Sequence, residues 1–344
     1  MMTFSGLKGL VAISAVLSPS FLPGLAAAQP ADQFFAGKTI TITIGFSPGG
    51  TYDLFGRMLA RYYGKYIPGK PTVIASNMPG AGSFTAANWL YRVAPKDGTA
   101  IGTVAQTIAI EEALKNKAVQ YKAAEFQWIG RATSNVEVQV VLARSKGATF
   151  EGLKNNETPT ASTGPGSPSE SYPKILNAVA GTKFKIIRGY PGSTDGLLAM
   201  ERGEVDSALT SWNTMKTTRM DWLNDKKAVL AFQYVLKRSP DLQNVMAVVE
   251  AGTNDADRAL LTFAASSAEI GRAFMAPPGV PADRIKVLRD AFDATMKDPE
   301  LLAEVAKAKL DFDPASGLAV QKIVADTANV DPAIAERMQK LLAE

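Results

Sequence analysis

Three times in this chain a β-branched or apolar run stops at a glycine-rich turn and gives way at once to a helical stripe. Residues 39–46, TITITIGF, lead through Ser47-Pro-Gly-Gly into a stretch where Leu54, Met58, Leu59 and Tyr62 recur at helical spacing. Residues 71–76 lead through Asn77-Met-Pro-Gly-Ala-Gly-Ser into a helix over 84–91. Residues 158–163 lead through Ser162-Thr-Gly-Pro-Gly-Ser into a helix over 169–179. Strands that alternate with helices in this way predict βαβ units and mainly parallel sheets. Further strands are expected at 100–105, 136–143, 184–188, 205–209 and 271–276, with a helix over 193–202, so the middle third repeats the architecture of the first as a second α/β lobe. Beyond Pro277-Pro-Gly-Val-Pro the chain reads as helical, with stripes at Ile285, Leu288, Phe292 and Met296 and at Ile334, Met338 and Leu341.

The glycine-rich turns stand where an α/β protein exposes the first N–H groups of a helix, so each reads either as a plain turn or as an anion-ready loop. Three of them over two lobes favour binding. They are not nucleotide loops: Gly80-x-Gly82 continues to Thr85 and Gly164-x-Gly166 to Ser169, where the dinucleotide fingerprint needs Gly or Ala, and no Walker lysine follows any of the three. No cofactor is implied. The chain has 344 residues and contains neither His nor Cys. That excludes Ser-His-Asp and Cys-His nucleophiles, imidazole or thiolate metal sites and disulfides. Serine–lysine chemistry or a hard cation held by oxygens stays open, so a hydrolase on this scaffold is the alternative to a binding protein. Asp53 reads first as a carboxylate in the opening turn of a helix. Trp212, in the polar stretch Thr210-Ser-Trp-Asn, is the one tryptophan placed where a cleft residue is plausible.

Residues 1–28 carry Lys8, a short apolar run over 9–17 and Ala26-x-Ala28. This is the layout of a cleaved export signal, cut near Ala28, because Ser18, Pro19, Ser20 and Pro23 interrupt the run far short of the ~20 apolar residues a span needs. The mature protein, from about Gln29 on, is expected to be exported and soluble. With 37 basic against 33 acidic residues and no basic cluster interleaved with aromatics, nucleic acid is not the expected partner.

Taken in order, several motifs resemble the receptor family of tripartite tricarboxylate transporters, the Bug-type periplasmic solute-binding proteins. They are Ile44-Gly-Phe-Ser-Pro-Gly-Gly-Thr-Tyr-Asp, Asn77-Met-Pro-Gly-Ala-Gly-Ser, Ala94-Pro-Lys-Asp-Gly-Thr, Ser162-Thr-Gly-Pro-Gly-Ser, Gly189-Tyr-Pro-Gly-Ser, Gly203-Glu-Val-Asp and Met275-Ala-Pro-Pro-Gly-Val-Pro. The resemblance implies a two-lobed periplasmic-binding-protein fold of type II, hinged by two crossing strands, with lobe one at 37–138 and 277–344 and lobe two at 139–276. It implies a periplasmic monomer with a small organic acid held between the lobes by backbone amides and hydroxyls and delivered to a membrane permease, with no catalysis. By match, Phe46, Ser47, Gly49, Gly50, Thr51 and Asp53 form the first-lobe loop, flanked by Gly80, Ala81 and Gly82. Ser162, Thr163, Gly166 and Ser167 face them, with Tyr190 and Asp206 nearby. Two positions depart from the family: Glu170 stands where many members have His, and Tyr52 is bulky where small residues are common. No Arg or Lys lies within the three loops, and Arg188 is the nearest candidate for a clamp. Bulk at Gly50 is expected to abolish binding, and loss of the Thr51 or Ser167 hydroxyl to weaken it.

Overall fold

A computed structural model describes residues 1–3 and 31–343; the expected export signal lies almost wholly outside them. Two sheets organise the chain. The strands are β1 (Thr39–Ile44), β2 (Thr72–Asn77), β3 (Ala100–Thr103), β4 (Gln127–Arg131), β5 (Glu137–Leu142), β6 (Thr158–Ser162), β7 (Phe184–Arg188), β8 (Ser207–Ser211), β9 (Ala228–Tyr234), β10 (Ala273–Ala276) and β11 (Ala315–Ser316). The first lobe holds a six-stranded sheet in the order β11-β4-β10-β3-β1-β2, and the second a five-stranded sheet in the order β7-β6-β8-β5-β9.

The strands that the glycine turns announce do pair in parallel: β1 with β2 and β3, and β6 with β7 and β8. Both sheets are nevertheless mixed. β10 runs antiparallel to β3 and β4, and β5 runs antiparallel to β8 and β9. The antiparallel strands are those on which the chain leaves one sheet and returns to the other, at 132–136 and 235–272. Sequence reasoning passed over β4 and β9. QWIGR is too short and AVLAFQY too evenly apolar for periodicity to settle.

Alternation in TITITI buries Ile40, Ile42 and Ile44 completely, in one core with Phe55, Met58 and Leu59 of the helix Thr51–Tyr62 and with Phe274 and Phe292. At ~1.5–3 kcal/mol per fully buried large side chain, this core holds the glycine turn after β1 on a rigid base. The other lobe packs Leu176, Phe232 and Leu260 in one cluster and Val138, Val140, Leu197 and Met200 in another.

The C-terminal segment divides differently from the sequence expectation. The helices Ala282–Thr295, Pro299–Lys307 and Gly317–Ala328 stay with the first sheet. The last helix, Pro332–Ala343, lies on the second lobe, where Met338, Ile334 and Leu341 join the cluster of Leu176 and Leu260. Lys174 Nζ donates to Leu342 O at 2.9 Å, and Arg337 pairs with Asp257. An apolar stripe states that a helix is buried, not which surface it meets. A third backbone link, at 329–331, therefore joins the lobes.

Candidate functional site

The cleft lies between the lobes, outside the C-terminal ends of β1, β6 and β8, where open parallel sheets place their ligands. About 480 Å³ of space, mouth included, is lined by Phe46, Ser47, Gly50, Thr51, Tyr52, Glu137, Thr163, Pro168, Ser169, Ser193, Leu209, Ser211 and Arg272.

The first face is the turn after β1. Gly45 has no room for a side chain, since a Cβ there would stand 2.5 Å from Ser83 Cβ, and Gly49 takes a left-handed φ of +95°. Asp53 buckles the turn from the first turn of the helix. It accepts from the Gly49 N–H (3.0 Å), from Arg57 Nε (2.9 Å) and from Asn77 Nδ2 (2.9 Å), while Asn77 also donates to Phe46 O. Burial alone would raise the Asp53 pKa, but the hydrogen bonds from Arg57, Asn77 and Gly49 outweigh it and hold the carboxyl below its ordinary value. Asp53 supports the cleft and does not line it. Tyr52 stacks on Phe46 (centroids 4.8 Å apart), and its hydroxyl accepts from the Gln106 N–H at 2.8 Å. Burial pushes its phenol up, against the pull of Arg272, so it stays protonated.

The second face is the loop after β6. Ser162 Oγ accepts from the Gly164 N–H (3.0 Å) and donates to Glu170 (3.2 Å). Ser169 Oγ accepts from the Thr163 N–H (2.9 Å), and Ser167 Oγ donates to Gly164 O (2.7 Å). Glu170 neither faces solvent nor lines the cleft: it is buried and bound bidentately by Arg188 Nε (2.9 Å) and Nη2 (2.6 Å). Arg188 is thereby engaged and is not the clamp.

The lobes touch across the cleft. Ser47 Oγ donates to Asp195 (2.5 Å), Thr51 Oγ1 bonds Thr214 Oγ1 (2.6 Å) and Ser211 Oγ, and Thr107 Oγ1 donates to Gly166 O (2.7 Å). At the rim the Gly82 N–H donates to Thr163 O (3.0 Å), and a Cβ on Gly164 would meet Gly82 N at 3.2 Å and Ala81 Cα at 3.4 Å. Gly80, Ala81, Gly82 and Gly166 thus belong to contacts between lobes or to their backbone supports, outside the cavity lining.

Two expected residues lie elsewhere. Asp206 accepts from Ser145 (3.1 Å) one residue before β8, whereas the cleft meets β8 at Ser211, about 17 Å of strand away. Tyr190 donates its N–H to Ser162 O, but its half-buried ring packs against the edge of the second lobe's core beside Arg202 and Glu204. Trp212 is core, with Nε1 donating to Asp241 (2.9 Å). Gly50 lines the cleft with φ −85°, so no backbone angle demands glycine there, and a Cβ would meet Ser193 Oγ of the other lobe at 3.3 Å.

Sequence reasoning missed the cleft's two charges. Arg272 ends one crossing segment and Glu137 opens β5 directly after the other, with Nη2 and Oε1 3.3 Å apart. Asn135 Nδ2 donates to Glu137 Oε1 (2.6 Å) and to Gln106 Oε1 (2.8 Å), and the Arg272 guanidinium carbon stands 3.9 Å from the Tyr52 ring centroid. The signal was present: each is a lone charge inside an apolar run, Val136-Glu-Val-Gln-Val and Ile270-Gly-Arg-Ala-Phe-Met. Ser193 and Ser211, which open two further helices, carried no such mark.

Comparison with known proteins agrees with this architecture. BugD, a periplasmic binding protein, superposes with a TM-score of 0.70 at 19% identity, covering 88% of this chain and 97% of that one. MatC from Rhodopseudomonas palustris, solved with bound malate, gives 0.68 at 17% identity, covering 89% and 99%. A second R. palustris protein, Rpa4515, solved with adipate, gives 0.68 at 17%, covering 89% and 97%. No curated protein matches the sequence. The family model described as the tripartite tricarboxylate transporter family receptor matches residues 61–339, most of the chain. With that match and the two-lobed fold, the chain belongs to the receptor family of tripartite tricarboxylate transporters.

Proposed function

We propose that this receptor, exported and cleaved near Ala28, captures a small organic acid between its lobes as a monomer and delivers it unchanged to a tripartite membrane permease. The observation that carries this reading is the convergence at one cleft of three helix starts, Thr51–Tyr62, Pro168–Ala180 and Ser193–Arg202, with the hydroxyls of Ser47, Thr51, Thr163, Ser169, Ser193 and Ser211. Helix N-termini carry partial positive charge and free N–H groups, and hydroxyls add donors, which is the chemistry of carboxylate recognition. The similar structures solved with malate and adipate support an acid as the solute. Binding rather than turnover is supported by the partners of the cleft hydroxyls: Thr51 bonds Thr214 and Ser169 bonds Ser167, hydroxyl to hydroxyl, while Ser47 donates to Asp195 across the lobes, a bond that ties one face to the other. The moving units are the two sheets with their helices, 37–131 with 273–328 and 137–266 with 332–343, so the expected boundaries at 139 and 277 shift to the crossings that precede β5 and β10, and a solute that touches both faces favours the closed form.

A thermal-shift screen over mono-, di- and tricarboxylates tests this. A bound acid at a hundredfold excess over its Kd stabilises the protein by about 2.7 kcal/mol, which is a shift of several degrees. The acid should be recovered chemically unchanged. Turnover, or no shift with any acid, defeats the reading.

A further inference from the structure

The cleft's own hydrogen-bond pattern has a gap at its floor. Arg272 is 2% exposed. A guanidinium has five N–H donors, yet this one makes only two hydrogen bonds among the described residues, both long: Nη1 to Gln106 Oε1 at 3.2 Å and Nη2 to Glu137 Oε1 at 3.3 Å. Its Nε is enclosed without a partner. Folded proteins rarely leave a buried charge so poorly matched, because the desolvated group loses its water and gains nothing in return. One face of the guanidinium is covered by Tyr52 at 3.9 Å, so a further partner has to come in at the edge, where a carboxylate binds well. Glu137 shows the complementary gap. Its Oε1 takes both Asn135 and Arg272, while its Oε2 accepts no hydrogen bond among the described residues, and the side chain lines the cleft.

We propose that Arg272 and Glu137 together set the specificity of the cleft, selecting a monocarboxylate that bears a hydrogen-bond donor next to its acid group. The solute's carboxylate meets the unused N–H groups of Arg272, and its donor, a hydroxyl or an ammonium, meets Glu137 Oε2. Because the two protein groups lie 3.3 Å apart, the solute's acid and donor must be within a few bonds of each other. A second carboxylate at that position would face Glu137 at close range and be repelled. This rests on the reading of the cleft as a carboxylate receptor. It adds a charged contact that the glycine loops do not supply.

The test uses calorimetry on the mature chain with three matched sets of acids. They are propanoate, lactate, alanine and methylmalonate; hexanoate with its 2-hydroxy, 2-amino and 2-carboxy forms; and 3-phenylpropanoate with the same three forms. Malate, adipate and citrate form a separate panel for the carboxylate reading itself. In a set that binds, the hydroxy or amino acid should bind at least tenfold more tightly than both the unsubstituted acid and the dicarboxylate, and the member preferred identifies the donor. Arg272→Lys should weaken it about tenfold, and the neutral pair Arg272→Gln with Glu137→Gln about a hundredfold, in line with hydrogen bonds to charged groups. Glu137→Gln alone should raise affinity for the dicarboxylate and erase the preference. The double variant removes both charges together, so no uncompensated buried ion remains to unfold it, and a cooperative melt verifies this. If acids bind but the variants match the wild type, or the dicarboxylate of a set is preferred, or only the separate panel binds, the proposal is overturned while the carboxylate reading stands. If no acid of any kind binds, both fall.

Discussion

The two faces of the cleft carry similar sequence, a glycine turn rich in hydroxyls ahead of a helix, but use it differently. On the first face the hydroxyls point across the cleft: Ser47 reaches Asp195, and Thr51 reaches Thr214 and Ser211. On the second face they hold their own loop: Ser162 bonds Gly164 and Glu170, and Ser167 bonds Gly164 and Ser169. One turn is therefore built to reach the other lobe, and the other to present a rigid backbone. Motif likeness gives no hint of this division, because it depends on which lobe each hydroxyl meets.

The sharpest way to break the comparison is at the rim, where backbone meets backbone. Gly82 has φ +62°, and a Cβ there would stand 2.7 Å from Pro165 O and 3.0 Å from Ser167 N. Gly82→Ala combines left-handed strain of about 1–2 kcal/mol with a clash that only lobe opening relieves, itself about 1–3 kcal/mol. The strain is present whether the lobes are open or closed, so the clash alone should lower solute affinity, by about thirtyfold, and scattering should show a less compact ligand-saturated form. Gly181 is the control. Its φ is +68° with nothing within 4 Å of a Cβ, so Gly181→Ala should lower the melting temperature and leave affinity alone. Equal affinities for the two variants would mean that the rim loops do not meet when solute is bound.

The hydroxyl pair sharpens the contrast at smaller magnitude. Thr51→Val removes the bonds to Thr214 and Ser211 and should weaken binding roughly tenfold, since an interrupted buried hydrogen bond costs about 1–3 kcal/mol. Ser167→Ala should lower stability by about 1 kcal/mol and change affinity less, because that hydroxyl is fully buried in its own loop. Calorimetry and thermal melts on the same two variants separate the roles; a reversed order would reverse the assignment of the faces.

Much of this was legible in the chain. The TITITI alternation, the glycine turn and the stripe from Leu54 to Tyr62 locate the first face, and Phe46, Ser47, Gly50, Thr51 and Thr163 do line the cleft. What stayed hidden depends on distant partners. Glu137 and Arg272 are 135 residues apart and meet only because both crossings pass the cleft floor. Asp206 sits within a motif that follows the family order, yet five residues of strand carry it away from the site. The last helix shows the same limit, since Ile334, Met338 and Leu341 announce a buried stripe without naming the lobe that buries it.

The smallest expected effect comes from the buckle of the first face. Asp53 is held below its ordinary pKa of 3.8 in the folded protein, so its charge contributes stability that is fully present above that value and is lost as pH falls through the lower folded one. Arg57 is 43% exposed, and solvent screening keeps the ion-pair share under about 1 kcal/mol. Asp53→Asn keeps the size and one acceptor of the side chain but removes the charge. Its melting temperature should lie below the wild type at pH 7, and the gap should narrow as pH falls below 3.8 and the wild-type carboxyl protonates. Ser167→Ala on the second face removes no titrating group, so its gap to the wild type should stay level over the same range. A gap for Asp53→Asn that does not change with pH would mean that shape, not charge, holds the first turn, and that the two faces are buckled by the same neutral hydrogen bonding.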